Sequence, residues 1–161
     1  MKLITFFAIL FFFSCRDVKD LNHFDWDKVY LEVVNTEKKN IFGNSSGLRL
    51  SLDSVKLYYL DRRGKEILQP HTREDTKKLS IFEGDADSGN NLVVRISLET
   101  IANGRSVTIV DFFEAGRLTI SANVNVVGVA GPMGGSLYYS DLVFDGGEIE
   151  KKGEGSYRVA L

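Results

Sequence analysis

The sequence predicts an all-β fold, a single antiparallel β-sandwich of about eight or nine strands, and three observations carry that expectation. From Val29 onward, apolar residues alternate with polar ones at period two in one segment after another, the signature of half-buried strands. The same region shows no sustained 3.6-residue apolar stripe and no repeat of solenoid length. Clusters rich in Gly, Asn and Asp punctuate it roughly every 8–12 residues, the spacing of turns in a sandwich or, as the alternative, a small barrel.

Val29, Leu31 and Val33 alternate with Tyr30 and Glu32 and form the first predicted strand. Residues 35–47 are a polar, glycine-punctuated connection from which Ile41 and Phe42 are expected to plug the core. Leu48, Leu50 and Leu52 alternate, and so do Val55, Leu57 and Tyr59, but the apolar set passes from even to odd positions across Asp53-Ser54. A one-residue slip turns every side chain to the wrong face, so the chain must bulge or bend there. Asp61-Arg62-Arg63-Gly64 then leads into Glu66-Ile67-Leu68. Gly64 suits the left-handed position that closes a type I turn with a G1 bulge, which makes the pair a hairpin.

Residues 70–78 are charged and expected at the surface, residues 79–82 form a short strand, and residues 83–91 form a polar turn. Leu92, Val94, Ile96 and Leu98 alternate cleanly; after a turn at Asn103-Gly104, residues 107–113 form a strand or, as the alternative, a short helix ending at Gly116. Leu118, Ile120, Ala122, Val124 and Val126 make the longest alternating run, with Asn123 and Asn125 on the other face, which is expected to meet water. A glycine-rich loop follows at residues 128–135, then a strand at 137–144 turned by Asp145-Gly146-Gly147, and a terminal strand at 157–161. An immunoglobulin-like arrangement fits this pattern in architecture alone, because the cysteine–tryptophan–cysteine signature is absent.

Residues 1–15 stand apart from this pattern. Lys2 is followed by an 11-residue run, Leu3 to Phe13, that is apolar except for Thr5, and then by Ser14-Cys15. A bilayer core of roughly 30 Å needs about 20 apolar residues, so the run reads as an export signal and not as part of the fold. Phe12-Phe13-Ser14-Cys15 resembles the lipobox of bacterial lipoproteins, with a small residue before the cysteine and phenylalanine where leucine is usual. The resemblance implies that residues 1–14 are a cleaved signal peptide. It implies that Cys15 is lipidated, with palmitate among its acyl chains, and becomes the first residue of the mature protein. Residues 15–27 are then the lipidated cysteine and a tether with a reach of roughly 20 Å, and residues 28–161 are the sandwich domain. Two or more chains, at about 0.8 kcal/mol per buried methylene, anchor stably where one does not. Arg16 stands where inner-membrane lipoproteins commonly carry aspartate, which implies the outer membrane, on either its periplasmic or its outer face.

Without residues 1–14 the chain loses only Lys2 among its charges and keeps 19 basic against 22 acidic residues, a net charge of −3. A mature chain of 147 residues buries about two-thirds of its unfolded surface, enough for one core. The weak negative balance excludes nucleic acid and argues against anionic lipid, both of which require a basic face. The lone cysteine rules out an intramolecular disulfide and a thiolate metal cluster.

Candidate chemistry is sparse. His23 falls in the tether and His71 in a charged loop, neither with a second ligand at metal spacing. Glu83-Gly84-Asp85-Ala86-Asp87-Ser88-Gly89-Asn90-Asn91 has the oxygen ligands of a calcium loop. With Asp85 as its first position, however, Asn90 stands where glycine is needed and Ile96 where glutamate is needed, so it reads as a solvated turn. Gly128-Val129-Ala130-Gly131-Pro132-Met133-Gly134-Gly135 lacks the lysine of a phosphate-binding loop. Tyr58-Tyr59 and Tyr138-Tyr139 each place one ring inside and one outside, and outward rings on one patch would suit a sugar or a peptide. Glu99 and Asp111 are the carboxylates to test as a pair. The expectation is therefore no enzyme, no catalytic residue, no metal and no cofactor. The expected function is a binding or assembly module of the cell envelope, with an envelope protein as partner, or with a glycan or small ligand as the second class.

Overall fold

The computed structural model describes residues 27–43, 50–70, 78–83, 89–101, 103–127 and 136–161. Ten strands lie among them: β1 (Lys28–Val34), β2 (Lys56–Leu60), β3 (Glu66–Gln69), β4 (Leu79–Glu83), β5 (Asn90–Arg95), β6 (Arg105–Asp111), β7 (Arg117–Val127), β8 (Ser136–Asp145), β9 (Glu148–Gly153) and β10 (Ser156–Ala160). They form two five-stranded sheets. The terminal sheet, which holds the first and last strands, has the order β4-β5-β1-β10-β9, and the meander sheet has the order β3-β2-β6-β7-β8. Neither closes on itself, so the fold is an all-β sandwich and not the small barrel. Five strands on each side depart from the four-and-three of the constant immunoglobulin domain. That likeness stays at the level of two packed sheets.

Alternation puts the expected residues inside. Val29, Leu31, Val33, Leu92, Val94 and Val159 of the terminal sheet and Leu57, Val110, Leu118, Ile120 and Ala122 of the meander sheet belong to one core and are fully buried. Each large aliphatic side chain among them stabilises the fold by about 1.5–3 kcal/mol relative to exposure. Ile41 and Phe42 reach into this core from their connection, as expected. The hairpin at Gly64 has the predicted form: Gly64 has φ +77, and its N–H donates to Asp61 O at 2.9 Å. The Asp61 carboxylate accepts from the Arg63 and Lys65 N–H groups at 2.8 and 2.9 Å. The Lys65 bond, foremost, holds that carboxyl below the usual carboxylate range.

Several boundaries and one strand differ from expectation. The break at Asp53-Ser54 is a 3-10 turn over Leu52–Ser54, with the Ser51 hydroxyl accepting from Asp53 N–H. Leu50 and Ser51 are irregular rather than strand, while residues 48 and 49 lie outside the described set. β5 stops at Arg95, and Ile96 and Ser97 remain buried in an irregular connection. β9 was not expected at all. Its residues Glu148, Glu150, Lys151 and Lys152 show no alternation, and only Ile149 among its larger apolar residues turns toward the core. It survives as an edge strand on β10, where charge discourages pairing with another chain.

The sandwich is antiparallel with one exception: β1 and β10 run parallel, from Tyr30↔Ser156 to Val34↔Ala160. The direction follows from the crossover, because β8 leaves the meander sheet at Asp145 and the β9–β10 hairpin docks with β9 outermost. That crossover turns on two glycines. Gly146 has φ +105, and a Cβ on it would lie 2.0 Å from the Arg117 carbonyl oxygen; one on Gly147 would lie 2.8 Å from that of Ala160.

Two ends of the sandwich follow from this arrangement. At the end where β1 begins, Ile96 N–H donates to Asp27 O at 2.7 Å, and the β2–β3 tip, the start of β6 and the β7–β8 pair Val127↔Ser136 lie there. At the other end lie the Glu83↔Asn90 pair, the 3-10 turn Phe113–Ala115 and the crossover at Gly146.

Candidate functional site

The tyrosine pairs divide as their strand positions dictate. Tyr59 of β2 and Tyr139 of β8 point inward, and each hydroxyl donates to a backbone carbonyl of the opposite sheet. Tyr59 reaches Arg95 O at 2.8 Å and Tyr139 reaches Lys28 O at 2.6 Å. Lys28 and Arg95 are register partners at the beginning of β1 and the end of β5. Both carbonyls sit where the ladder runs out, so the two phenols close the end of the terminal sheet. Burial, first of all, pushes Tyr139 up to about 12 and raises Tyr59 well above its ordinary value, with the Asp27 carboxylate adding to both. Both are neutral donors at neutral pH.

Above the unfolded tyrosine value of about 10 the unfolded chain binds fewer protons than the folded one, so stability falls as pH rises. Urea unfolding is expected to give a flat stability up to pH ~9 and a loss between pH ~10 and ~12, a loss that is shallower in Tyr139→Phe. That variant starts lower by about 0.5–1.5 kcal/mol, because the bond from Tyr139 to the Lys28 carbonyl is lost. An unchanged alkaline slope in Tyr139→Phe would contradict this role.

The outward tyrosines do not make a platform. Tyr58 lies on the row Leu68–Tyr58–Ile109–Thr119–Asp145 of the meander sheet, and Tyr138 pairs with Asn125 at the other end of β8. The two are separated by three strand spacings and several residues, on the order of 14 Å across and 20 Å along. Tyr58 instead lies under the Arg117 guanidinium, 5.5 Å from its ring centre.

The outer face of β7 is polar but tied down, which corrects the expectation that Asn123 simply meets water. A bulge between β7 and β8 places Asp141 at φ +51. Arg105 donates to Asn123 Oδ1 and Ser121 O at 3.0 Å and to Asp141 O at 2.6 Å. Asn123 Nδ2 donates to Asp141 Oδ2 at 2.8 Å, and Asn125 Nδ2 to Ser140 Oγ at 2.9 Å. Outward position alone did not reveal this knot in the sequence. Ala122→Leu should overpack the core and cost about 1–3 kcal/mol. Asn123→Leu should cost a similar amount, because it strips partners from Arg105 and Asp141. An Asn123→Leu variant unfolding in urea like the wild type would show that the knot holds nothing.

Of the remaining candidates, Cys15, His23, His71 and residues 84–88 and 128–135 lie outside the described residues. The described base of the acidic turn is structural. Asn40 Nδ2 donates to Asn90 O at 2.6 Å, and Asn90 Nδ2 to Phe42 O at 3.1 Å. The flanks of the two loops, Glu83↔Asn90 and Val127↔Ser136, stand at opposite ends of the sandwich. Glu99 and Asp111 do not pair. Thr100 bridges to Ser106, and Asp111 lies on the order of 16 Å further along β6, where it caps Phe113 N–H at 2.9 Å. Among the described residues no group of three His, Cys, Asp or Glu could hold a metal ion.

A concave region of about 530 Å³ opens at the end away from Asp27, lined among the described residues by Phe42, Leu50, Ser51, Leu52, Ile81, Glu83 and Asn90. The lining mixes apolar Phe42, Leu50, Leu52 and Ile81 with polar Ser51 and Asn90 and a single carboxylate, Glu83, so the described residues there supply no acid–base pair. No family model, curated protein or solved structure matches this chain.

Proposed function

We propose that this protein is a membrane-anchored cell-envelope lipoprotein, held in the outer membrane through lipid on Cys15, whose β-sandwich is a binding or assembly module and not an enzyme. The observation that carries the reading is the lone cysteine that follows, after Ser14, an 11-residue run apolar except for Thr5. The position of Asp27 at one end of the sandwich supports it, since a tether joined there leaves the opposite end, with its concave region, facing away from the bilayer. The separation of Glu99 from Asp111 supports a binding role over catalysis. An envelope protein is the favoured partner, because the outward tyrosines of the glycan reading lie far apart.

Cys15→Ala tests the anchor. The wild type, grown with radiolabelled palmitate, is expected to carry label and to fractionate with membranes, while the variant carries none and stays unprocessed or soluble. Label in Cys15→Ala would overturn the lipid anchor.

A further inference from the structure

The tip of the β2–β3 hairpin lies at the same end of the domain as Asp27. Tyr59, one residue from the end of β2, bonds to Arg95, whose register partner is Lys28. At the tip itself, Arg62 Nε lies 3.6 Å from Glu99. This tip presents Arg62, Arg63 and Lys65, all exposed, and the Arg62 side chain is 85% accessible.

The nearby acids are largely committed elsewhere. Asp61 is folded back on the Arg63 and Lys65 N–H groups, and Glu66 is paired with Arg117 at 2.5 Å. The loose Arg62–Glu99 contact is of the exposed kind that contributes little. The strand that follows, β3, is a sheet edge and carries two of the exposed large apolar residues, Ile67 at 41% and Leu68 at 55%. Leu68 pairs with the outward Tyr58, while Ile67 pairs with Tyr59 and stands on the opposite face. Cations at a tip beside an exposed apolar side chain suit a lipid headgroup boundary.

We propose that the β2–β3 hairpin docks on the anionic surface of the membrane to which the domain is tethered, with Arg62, Arg63 and Lys65 on lipid phosphates and Leu68, on the outer face of β3, against the headgroups. The proposal rests on the anchor at Cys15, because a chain anchored there enters the domain at Asp27, beside the hairpin tip. Anionic lipid is the occupant because the exposed charge is positive and the connection ends here. A chain of net negative charge can bind this way because the tip is local. Basic residues near such a surface act additively, and the attraction is screened by salt.

Trypsin reads the hairpin directly, since it cuts after Arg62 and Arg63. The full-length protein, processed in its own host, is reconstituted into vesicles of phosphatidylcholine alone or with added phosphatidylglycerol. Cleavage at the tip is compared with cleavage at Lys38 and Lys39, which are exposed at the opposite end. The expected result is tip cleavage slowed about tenfold or more on the anionic vesicles. Cleavage at Lys38 and Lys39 should be equal on both, and high salt should remove the protection. Lys65→Glu combined with Leu68→Gln, with an unchanged urea midpoint, should restore cutting on anionic vesicles.

Equal tip cleavage on the two vesicle types, whether fast or slow, overturns the proposal. The mass of the Cys15 peptide from the same digest separates the two claims. An acylated peptide with an unprotected tip removes the hairpin contact and leaves the anchor. An unmodified Cys15 removes the anchor, and the tip is then judged by the same cleavage ratio with vesicles in excess.

Discussion

Gly146→Ala is expected to abolish the folded state or to cost more than about 4 kcal/mol, the range reserved for severe steric or packing faults. Gly146 is where the chain leaves the meander sheet for the terminal one, at φ +105, and an added Cβ would stand 2.0 Å from the Arg117 carbonyl oxygen. That oxygen belongs to the backbone at the start of β7, in the middle of the meander, so it cannot swing aside as a side-chain tip would. Relief requires either the β7–β8 ladder or the crossover to move, and the crossover carries β9 and β10 with it.

Gly64→Ala is the control. Gly64 is also left-handed, with φ +77, but nothing lies within 4 Å of a Cβ there, so it should cost only the backbone term of about 1–2 kcal/mol. Soluble yield and urea unfolding of the two variants separate the cases. Similar losses at both sites would mean that the crossover is looser than its geometry implies.

Phe112→Ala should cost about 3–5 kcal/mol, as truncation of a fully enclosed aromatic does. Phe112 has 0% exposure and heads the fully buried side chains by volume. Its ring lies 6.5 Å from that of Phe42. Its N–H donates to Gly116 O at 2.8 Å, which fixes the turn around it. Its neighbour behaves in the opposite way. Phe113 is 69% exposed at φ +59, a backbone conformation that costs a bulky residue about 1–2 kcal/mol. Phe113→Gly should therefore leave stability unchanged or raise it by up to ~1 kcal/mol. Chemical unfolding of the pair decides the matter, and a larger loss at Phe113 than at Phe112 would reverse the inside and outside assigned here.

The contrast at Phe112 and Phe113 shows what alternation can and cannot carry. Where one face of a strand is core and the other is not, the period-two pattern named the inward residues, as with Val29, Leu31 and Val33 of β1. Gly64 was legible because only one turn type asks for a left-handed glycine there. β9 was not legible, because an edge strand that buries little beyond Ile149 leaves almost no apolar period to detect. The parallel partner of β1 was hidden for another reason: Glu32 and Arg158, which join at 2.8 and 3.0 Å across that pair, are 126 positions apart. The knot around Arg105 looked like a solvated face because the donors that satisfy Asn123 come from neighbouring strands. The cationic hairpin tip was masked by averaging, since net charge sums over both ends of the molecule.

The parallel pairing of β1 with β10 has a consequence for timing. The strand at the centre of the terminal sheet has β5 on one side, but its other side stays empty until residues 156–160 have arrived. Closing that gap joins segments more than a hundred residues apart, and such a late, non-local contact slows folding. A chain emerging in order from the ribosome therefore has no means of locking this sheet early.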